Sequence, residues 1–163
     1  MSEQPTSAQP ISSDSEPAPT AQEPSWLPTV GAQAEFAKTV GETDVTLFAG
    51  LTGDFAPHHI NAEYMRSRPE GQRVAHGALT LSLASTAASK LCADYGLTAL
   101  SYGYDRVRFL APVFLGQTVT TRYEVESVDI EKQTAYCQVR ATTEDGRLCM
   151  VAVHVLYCYR PEA

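Results

Sequence analysis

An α+β fold, with one long helix held against a curved antiparallel sheet, is what this sequence predicts, and three observations carry it. Residues 77–95 form one uninterrupted helical run that opens at Gly77 and is closed by Gly96. Everything after Thr98 reads as strands, at 99–110, 117–129, 133–143 and 147–159, with turn signals at each junction. The helical run carries only Lys90 and Asp94 as charges, and its other polar residues are mostly serine and threonine. It is therefore expected to be largely enclosed rather than to lie as a surface amphipath. Four strands and an enclosed helix satisfy one another when the sheet curves around the helix.

The elements follow in order along the 163 residues. Residues 1–25 hold several prolines, an acidic bias and almost no large apolar side chain. They cannot bury enough surface to offset the entropy of ordering, so a disordered tail is expected there and one domain over 26–163. Residues 34–40 give a weakly alternating first strand. Thr43 is a good N-cap for a short amphipathic helix of Asp44, Val45, Leu47, Phe48 and Leu51, which Gly53 ends. Asn61 caps another short helix through Tyr64 and Met65, broken by Pro69 and Gly71. In the third strand after the long helix, Ala135, Cys137, Val139 and Ala141 share a face. The sequence GluAspGly at 144–146 is a hairpin turn. The last strand is apolar on both faces and should be covered on both sides, which predicts a homodimer or larger homo-oligomer.

Composition excludes several classes. The net charge is −7, and the arginines come in short groups rather than a stripe, which argues against nucleic acid. Cys92, Cys137, Cys149 and Cys158 lack CxxC spacing and read as free, mostly buried thiols, in keeping with a cytoplasmic protein. No apolar run reaches the roughly 18 residues of a membrane span. The start of the chain has neither a secretory nor a mitochondrial targeting pattern. Neither metal nor cofactor is expected.

The chemistry concentrates in GlyAspPheAlaProHisHisIleAsn at 53–61 and AlaHisGlyAla at 75–78. Asp54 and His59 stand five residues apart across a stiffening proline and can converge on one water molecule. Gly77 opens the long helix with an unobstructed N–H at the positive end of the helix dipole, where negative charge on an acyl oxygen is stabilised. The neighbouring His58 reads as a pocket-wall or surface residue, and His76 as a loop-fixing hydrogen-bond partner. His154 reads as a core or interface histidine. Strict alternation puts Tyr102, Tyr104, Arg106 and Arg108 on one strand face. The arginines are either solvated charges or a cradle for the phosphates of a CoA carrier, and the tyrosines could line the same groove. Ser82 and Ser85 read as helix packing, since nothing places a base beside them.

Over about residues 29–156 the chain resembles the single-hotdog MaoC-like dehydratases, the family that includes R-specific enoyl-CoA hydratases. Three motifs in order carry the resemblance: PheAlaGlyLeuThrGlyAspPheAlaProHisHisIleAsn, ValAlaHisGlyAla, and ValArgPheLeuAlaProValPheLeuGlyGlnThrVal. The resemblance implies a hotdog fold, Asp54 and His59 as the catalytic pair, and the Gly77 N–H in the oxyanion hole. It also implies reversible hydration of a 2-enoyl-CoA to an R-3-hydroxyacyl-CoA. The chain departs from the family pattern at Ala56, where Asn is usual, at Ala78, where Met or Leu is frequent, and at Gln117, where Asp is frequent. Two alternatives stand beside hydration: a hotdog acyl-CoA thioesterase, and a non-catalytic acyl-thioester-binding module, which Ala56 favours.

Overall fold

The computed structural model describes residues 24–160. The tail expected at 1–25 lies outside the described residues as far as position 23. From Pro24 the chain is in a turn, with the Leu27 N–H donating to the Pro24 carbonyl at 3.0 Å.

Five strands make one antiparallel sheet: β1 (Gln33–Thr39), β2 (Ala99–Phe109), β3 (Thr118–Asp129), β4 (Thr134–Thr143) and β5 (Leu148–Cys158). Their spatial order is β1-β3-β4-β5-β2, so the first two strands in sequence form the edges. Helix α4 (Gly77–Asp94) packs mainly on β1 and β3. The period of two is legible in β3, where Val119, Thr121, Tyr123 and Val125 are buried and Arg122, Glu124 and Glu126 are exposed. The expected face of β4 is likewise buried, with Ala135, Cys137, Val139 and Ala141 all at 0 % exposure. Burying a valine-sized side chain contributes about 1.5–3 kcal/mol, so a one-residue register slip that exchanged this face for the charged one is strongly disfavoured. This is a hotdog fold: a curved sheet around one long helix.

The long helix is less enclosed than its composition predicts. Leu79, Leu83, Ala84, Ala87, Ala88 and Leu91 bury one face, whereas Ala78, Ser82, Ser85 and Ser89 are exposed. Small polar side chains do not declare which side they occupy, and here they form an uncovered face within the chain. The last strand is also covered only in part, since Val151, Val153 and Tyr157 on its outer face are half-buried.

Three short helices precede α4: α1 (Glu42–Thr52), α2 (Pro57–Ile60) and α3 (Ala62–Arg66). Gly41, not Thr43, is the N-cap of α1, because the Asp44 carboxylate reaches back to accept the Gly41 N–H at 2.8 Å. Val45 and Ala49 are buried, but Leu47 and Leu51 are exposed, so the apolar side of α1 is narrower than the sequence pattern predicts. Gly53 ends the helix in the left-handed region, with φ 78° and its N–H on the Ala49 carbonyl at 2.8 Å. Asn61 caps α3 as expected, its side chain accepting the Tyr64 N–H at 2.9 Å.

Strand β2 departs most from simple alternation. Its pairing with β5 shifts between Ser101 and Gly103 and again between Asp105 and Arg108, where Arg106 has φ 53°. Each shift inserts residues that have no partner and so changes which side chains face inward. Ser101 stands opposite Leu156, Tyr104 opposite His154 and Phe109 opposite Met150, all buried positions of β5. Arg108 stands opposite the half-buried Val151.

Candidate active site

Asp54 follows the glycine that ends α1, and His59 sits in the single turn of α2, whose first residue is Pro57. The Asp54 carboxylate is turned in by the Ala56 N–H, which it accepts at 3.2 Å. Its other oxygen lies 3.8 Å from His59 Nε2. That separation is too long for a direct hydrogen bond and short enough for one water molecule to bridge. Asp54 is half-exposed and His59 is buried, so the pair meets where the surface passes into the interior.

The protonation of His59 follows from its second nitrogen. Nδ1 lies 2.7 Å from the Val74 carbonyl, which can only accept, so Nδ1 carries the proton and the neutral ring keeps its lone pair on Nε2. Burial pushes the His59 pKa below its ordinary 6.5, reinforced by the neighbouring His76 and His58 and opposed by the Val74 bond and Asp54. His58 is exposed, with its ring tilted 55° against His59 at 3.9 Å. The adjacent histidines are thus separated by burial: His59 faces Asp54 and His58 faces outward.

His76 closes the group from the other side. Its Nε2–H donates to the Asp54 backbone carbonyl at 3.0 Å, its ring stacks on His59 at 3.7 Å, and Phe48 of α1 lies 5.0 Å away. It is 3 % exposed, and it is also the N-cap of α4. One side chain therefore joins the helix start to the backbone of the acid, the loop-fixing role its sequence position suggests.

Gly77 is the first residue of α4. The helix's own bonding begins with the Thr80 N–H on the His76 carbonyl at 3.2 Å, so the N–H groups of Gly77, Ala78 and Leu79 precede the first helical bond. A Cβ at position 77 would stand 2.9 Å from two ring carbons of Phe109. Phe109 thus borders the site, together with a groove of about 310 Å³ lined by Val74, Gly77, Thr80, Phe109 and Pro112. Sequence reasoning missed Phe109, because plain alternation sets it opposite the tyrosines while the bulges in β2 turn it to the helix.

The four residues expected to share a substrate-facing side do not do so. Tyr104 is half-buried and stacks on His154, with ring centroids 4.0 Å apart and an interplanar angle of 8°. Tyr102 falls in the first bulge and is 77 % exposed. Arg106 lines a shallow depression with Asp105, Glu126 and Val153, and Arg108 bonds the Val107 carbonyl. The shifts in register break the period of two that would have aligned them.

Asp54, His59 and His76 also form a cluster whose potential metal-ligand atoms lie within 4.8 Å of one another. His76 Nε2 is spent on the Asp54 carbonyl, and stacked imidazoles present their nitrogens side by side rather than toward a tetrahedral centre. The donor set suits a polarised water better than a metal ion.

The site and the fold together define a class, the hotdog domains with an acid and a histidine beside the start of the central helix. Residues 26–146 match the family model described as the MaoC like domain, and the chain belongs to that family. A curated relative, the (R)-specific enoyl-CoA hydratase of Rhodospirillum rubrum, is 35% identical over 103 residues, covering 63% of this chain and 69% of the relative. The 3-hydroxyacyl-thioester dehydratase Z of Mycobacterium tuberculosis is 33% identical over 108 residues, covering 65% of this chain and 72% of that protein. By name both relatives are hydro-lyases. Among solved structures, the (R)-hydratase from A. caviae involved in PHA biosynthesis superposes with a TM-score of 0.72 at 29% identity. That match covers 78% of this chain and 95% of the other.

Proposed function

We propose that this protein catalyses the reversible hydration of a 2-enoyl-CoA to an (R)-3-hydroxyacyl-CoA. The observation that carries this reading is the 3.8 Å gap between Asp54 and His59 Nε2, set beside the free N–H groups that open α4. In this reading a water molecule bridges the gap. His59 Nε2, neutral and with its lone pair free, takes a proton as the water oxygen bonds to C3, and then delivers a proton to C2. The Asp54 carboxylate orients the water and stabilises the imidazolium that forms between the two transfers. The Gly77 N–H receives the charge that develops on the thioester oxygen. Water and proton arrive from one face, so the addition is syn. The names of both curated relatives support the reaction, and that of the Rhodospirillum rubrum relative supports the R configuration.

Loss of the conjugated thioester absorbance of crotonyl-CoA, followed with a parallel assay for free thiol, tests this directly. Absorbance loss without thiol release supports hydration. Thiol release shows a thioesterase instead, and an unchanged substrate at high protein concentration leaves the site a binding module.

The active form in this proposal is a homo-oligomer. Edge strand β2 exposes Leu100, Tyr102 and Phe109, Leu110 follows directly after it, and helix α1 exposes Leu47 and Leu51. Sedimentation of the full chain at micromolar concentration is expected to show a dimer or larger species, and a stable monomer would overturn that expectation.

A further inference from the structure

Asp54 and His59 sit in residues 53–61, whereas Gly77 opens α4, so the spacing between the two halves of the site depends on the bonds that join them. The segment 73–76, which leads into α4, supplies these bonds. The Val74 N–H donates to the His58 carbonyl at 3.0 Å, and the Val74 carbonyl accepts His59 Nδ1–H at 2.7 Å, so His59 is held by backbone. Arg73 donates to the carbonyl of Ile60, the last residue of α2, at 3.4 Å. Asp54 is held differently. Its hydrogen bonds to Thr52 and Ala56 are local to its own loop, and it is tied to the segment by a side chain, through His76 Nε2–H and the Asp54 carbonyl at 3.0 Å.

The state of the His76 ring shows what that side chain is for. Its Nδ1 is buried and has no hydrogen-bond partner among the described residues. A proton on Nδ1 would lack an acceptor, so the ring proton is on Nε2, where the Asp54 carbonyl receives it. A ring that only filled the space beside His59 and Phe48 would leave no polar atom unsatisfied if it were phenylalanine. What phenylalanine lacks is the Nε2–H. The same nitrogen lies 3.9 Å from Asp54 Oδ2, and Oδ2 lies 3.8 Å from His59 Nε2, so a shift of Asp54 away from His76 changes the water gap directly.

The substrate class makes this spacing matter. In a 2-enoyl thioester the carbonyl oxygen, C1, C2 and C3 are conjugated and coplanar, so the oxygen and C3 stand at one fixed separation. The oxyanion donor and the water have to match that separation. His76 spans the interval: its backbone carbonyl accepts the Thr80 N–H at 3.2 Å as α4 begins, and its ring holds the backbone of Asp54.

We propose that His76 is a positioning residue that sets the spacing between the bridging water and the oxyanion donor by holding the Asp54 backbone through Nε2–H. The proposal rests on the hydratase reading and adds a residue that acts through Asp54 rather than on the substrate.

Two variants of the full-length protein separate this role from packing. His76→Phe keeps a stacked ring and removes the donor, whereas His76→Gln puts an amide N–H near the place of Nε2. With crotonyl-CoA, His76→Phe is expected to lower kcat by roughly tenfold to a hundredfold with KM within about twofold, while His76→Gln stays within about fivefold of wild type. The second readout is the titration of the His59 ring, followed by NMR. Burial is the largest influence on the His59 pKa and lowers it; the Val74 carbonyl raises it, His76 and His58 lower it, and Asp54 raises it. Both variants remove the His76 imidazole, but only His76→Gln keeps Asp54 in place, so His59 should titrate at lower pH in His76→Phe than in His76→Gln. Equal kcat in the two variants, or the same His59 titration in both, overturns the proposal. So does a His76→Phe variant that keeps wild-type kcat or that unfolds, whatever the fate of His76→Gln. Should the wild type leave crotonyl-CoA unhydrated, the hydratase reading fails separately, and the difference in His59 titration still decides whether His76 holds Asp54.

Discussion

The ring of Phe109 lies over the backbone of Gly77, so close that a methyl group on Gly77 would overlap it at 2.9 Å. A strand residue thereby restricts the first residue of the central helix. Gly77→Ala is expected to push the helix start and Phe109 apart and to lower kcat/KM by about tenfold to a hundredfold, given how steeply an oxyanion donor depends on position. Phe109→Leu in the same protein should recover part of that loss. Equal activity of Gly77→Ala and wild type, measured on crotonyl-CoA, would show that this N–H does not act on the substrate.

Removing either partner across the water gap is expected to be far more damaging. Asp54→Asn and His59→Ala should each lower turnover by roughly a hundredfold or more while the fold is retained by circular dichroism. The double variant should cost little beyond either single one, because one water needs both partners. His58→Ala should be mild, since its ring is exposed and turned away. A crippled His58→Ala beside an active His59→Ala would reverse the assignment of the two histidines.

The pH dependence of kcat/KM has a sign that follows from burial. In the proposed mechanism His59 is the base, which it can be only when neutral, and its pKa is held below 6.5. The acidic limb of the profile is therefore expected below pH 6.5, with activity lost as pH falls through it. His58 is one of the charges that lower this pKa, so His58→Ala should move the limb upward. A limb above pH 6.5 in the wild type would contradict the buried, neutral base.

Stability should also depend on pH, through His154. Its folded pKa of about 4 lies below the unfolded 6.5, so on acidification the unfolded chain takes the proton first. The stabilisation is present above pH 6.5 and is lost as pH falls toward about 4, and the full interval corresponds to about 3 kcal/mol. Urea unfolding at neutral pH and near pH 4 measures the difference. His154→Gln, less stable at neutral pH, should lose most of this slope, and an unchanged slope would place the proton uptake elsewhere.

The site was legible where its chemistry is local. Asp54, Pro57 and His59 sit within one turn and a half of chain, and Gly77 announces itself by opening a long apolar run. The partners that come from β2 were not legible. Ser101, Tyr104 and Phe109 do not share a parity in the sequence, and only two shifts of register bring them to the same side. The start of α1 is hidden for a related reason: Asp44 looks like a helix residue behind a threonine cap, but its carboxylate reaches back to Gly41. The exposure of α4 depends on what the sheet leaves uncovered, which no window of one helix contains.

The two bulges of β2 also make the strand a set of three short rulers joined at adjustable seams. Ser101, Tyr104 and Phe109 each belong to a different ruler, with the seams at 102 and at 106–107. A one-residue slip of a single ruler along β5, absorbed at its seam, would exchange the side chains that ruler turns inward while leaving the pairing of the other rulers in place. Descendants of this chain could therefore retune what lies beneath the helix by length changes at an edge strand, leaving Asp54, His59 and Gly77 untouched.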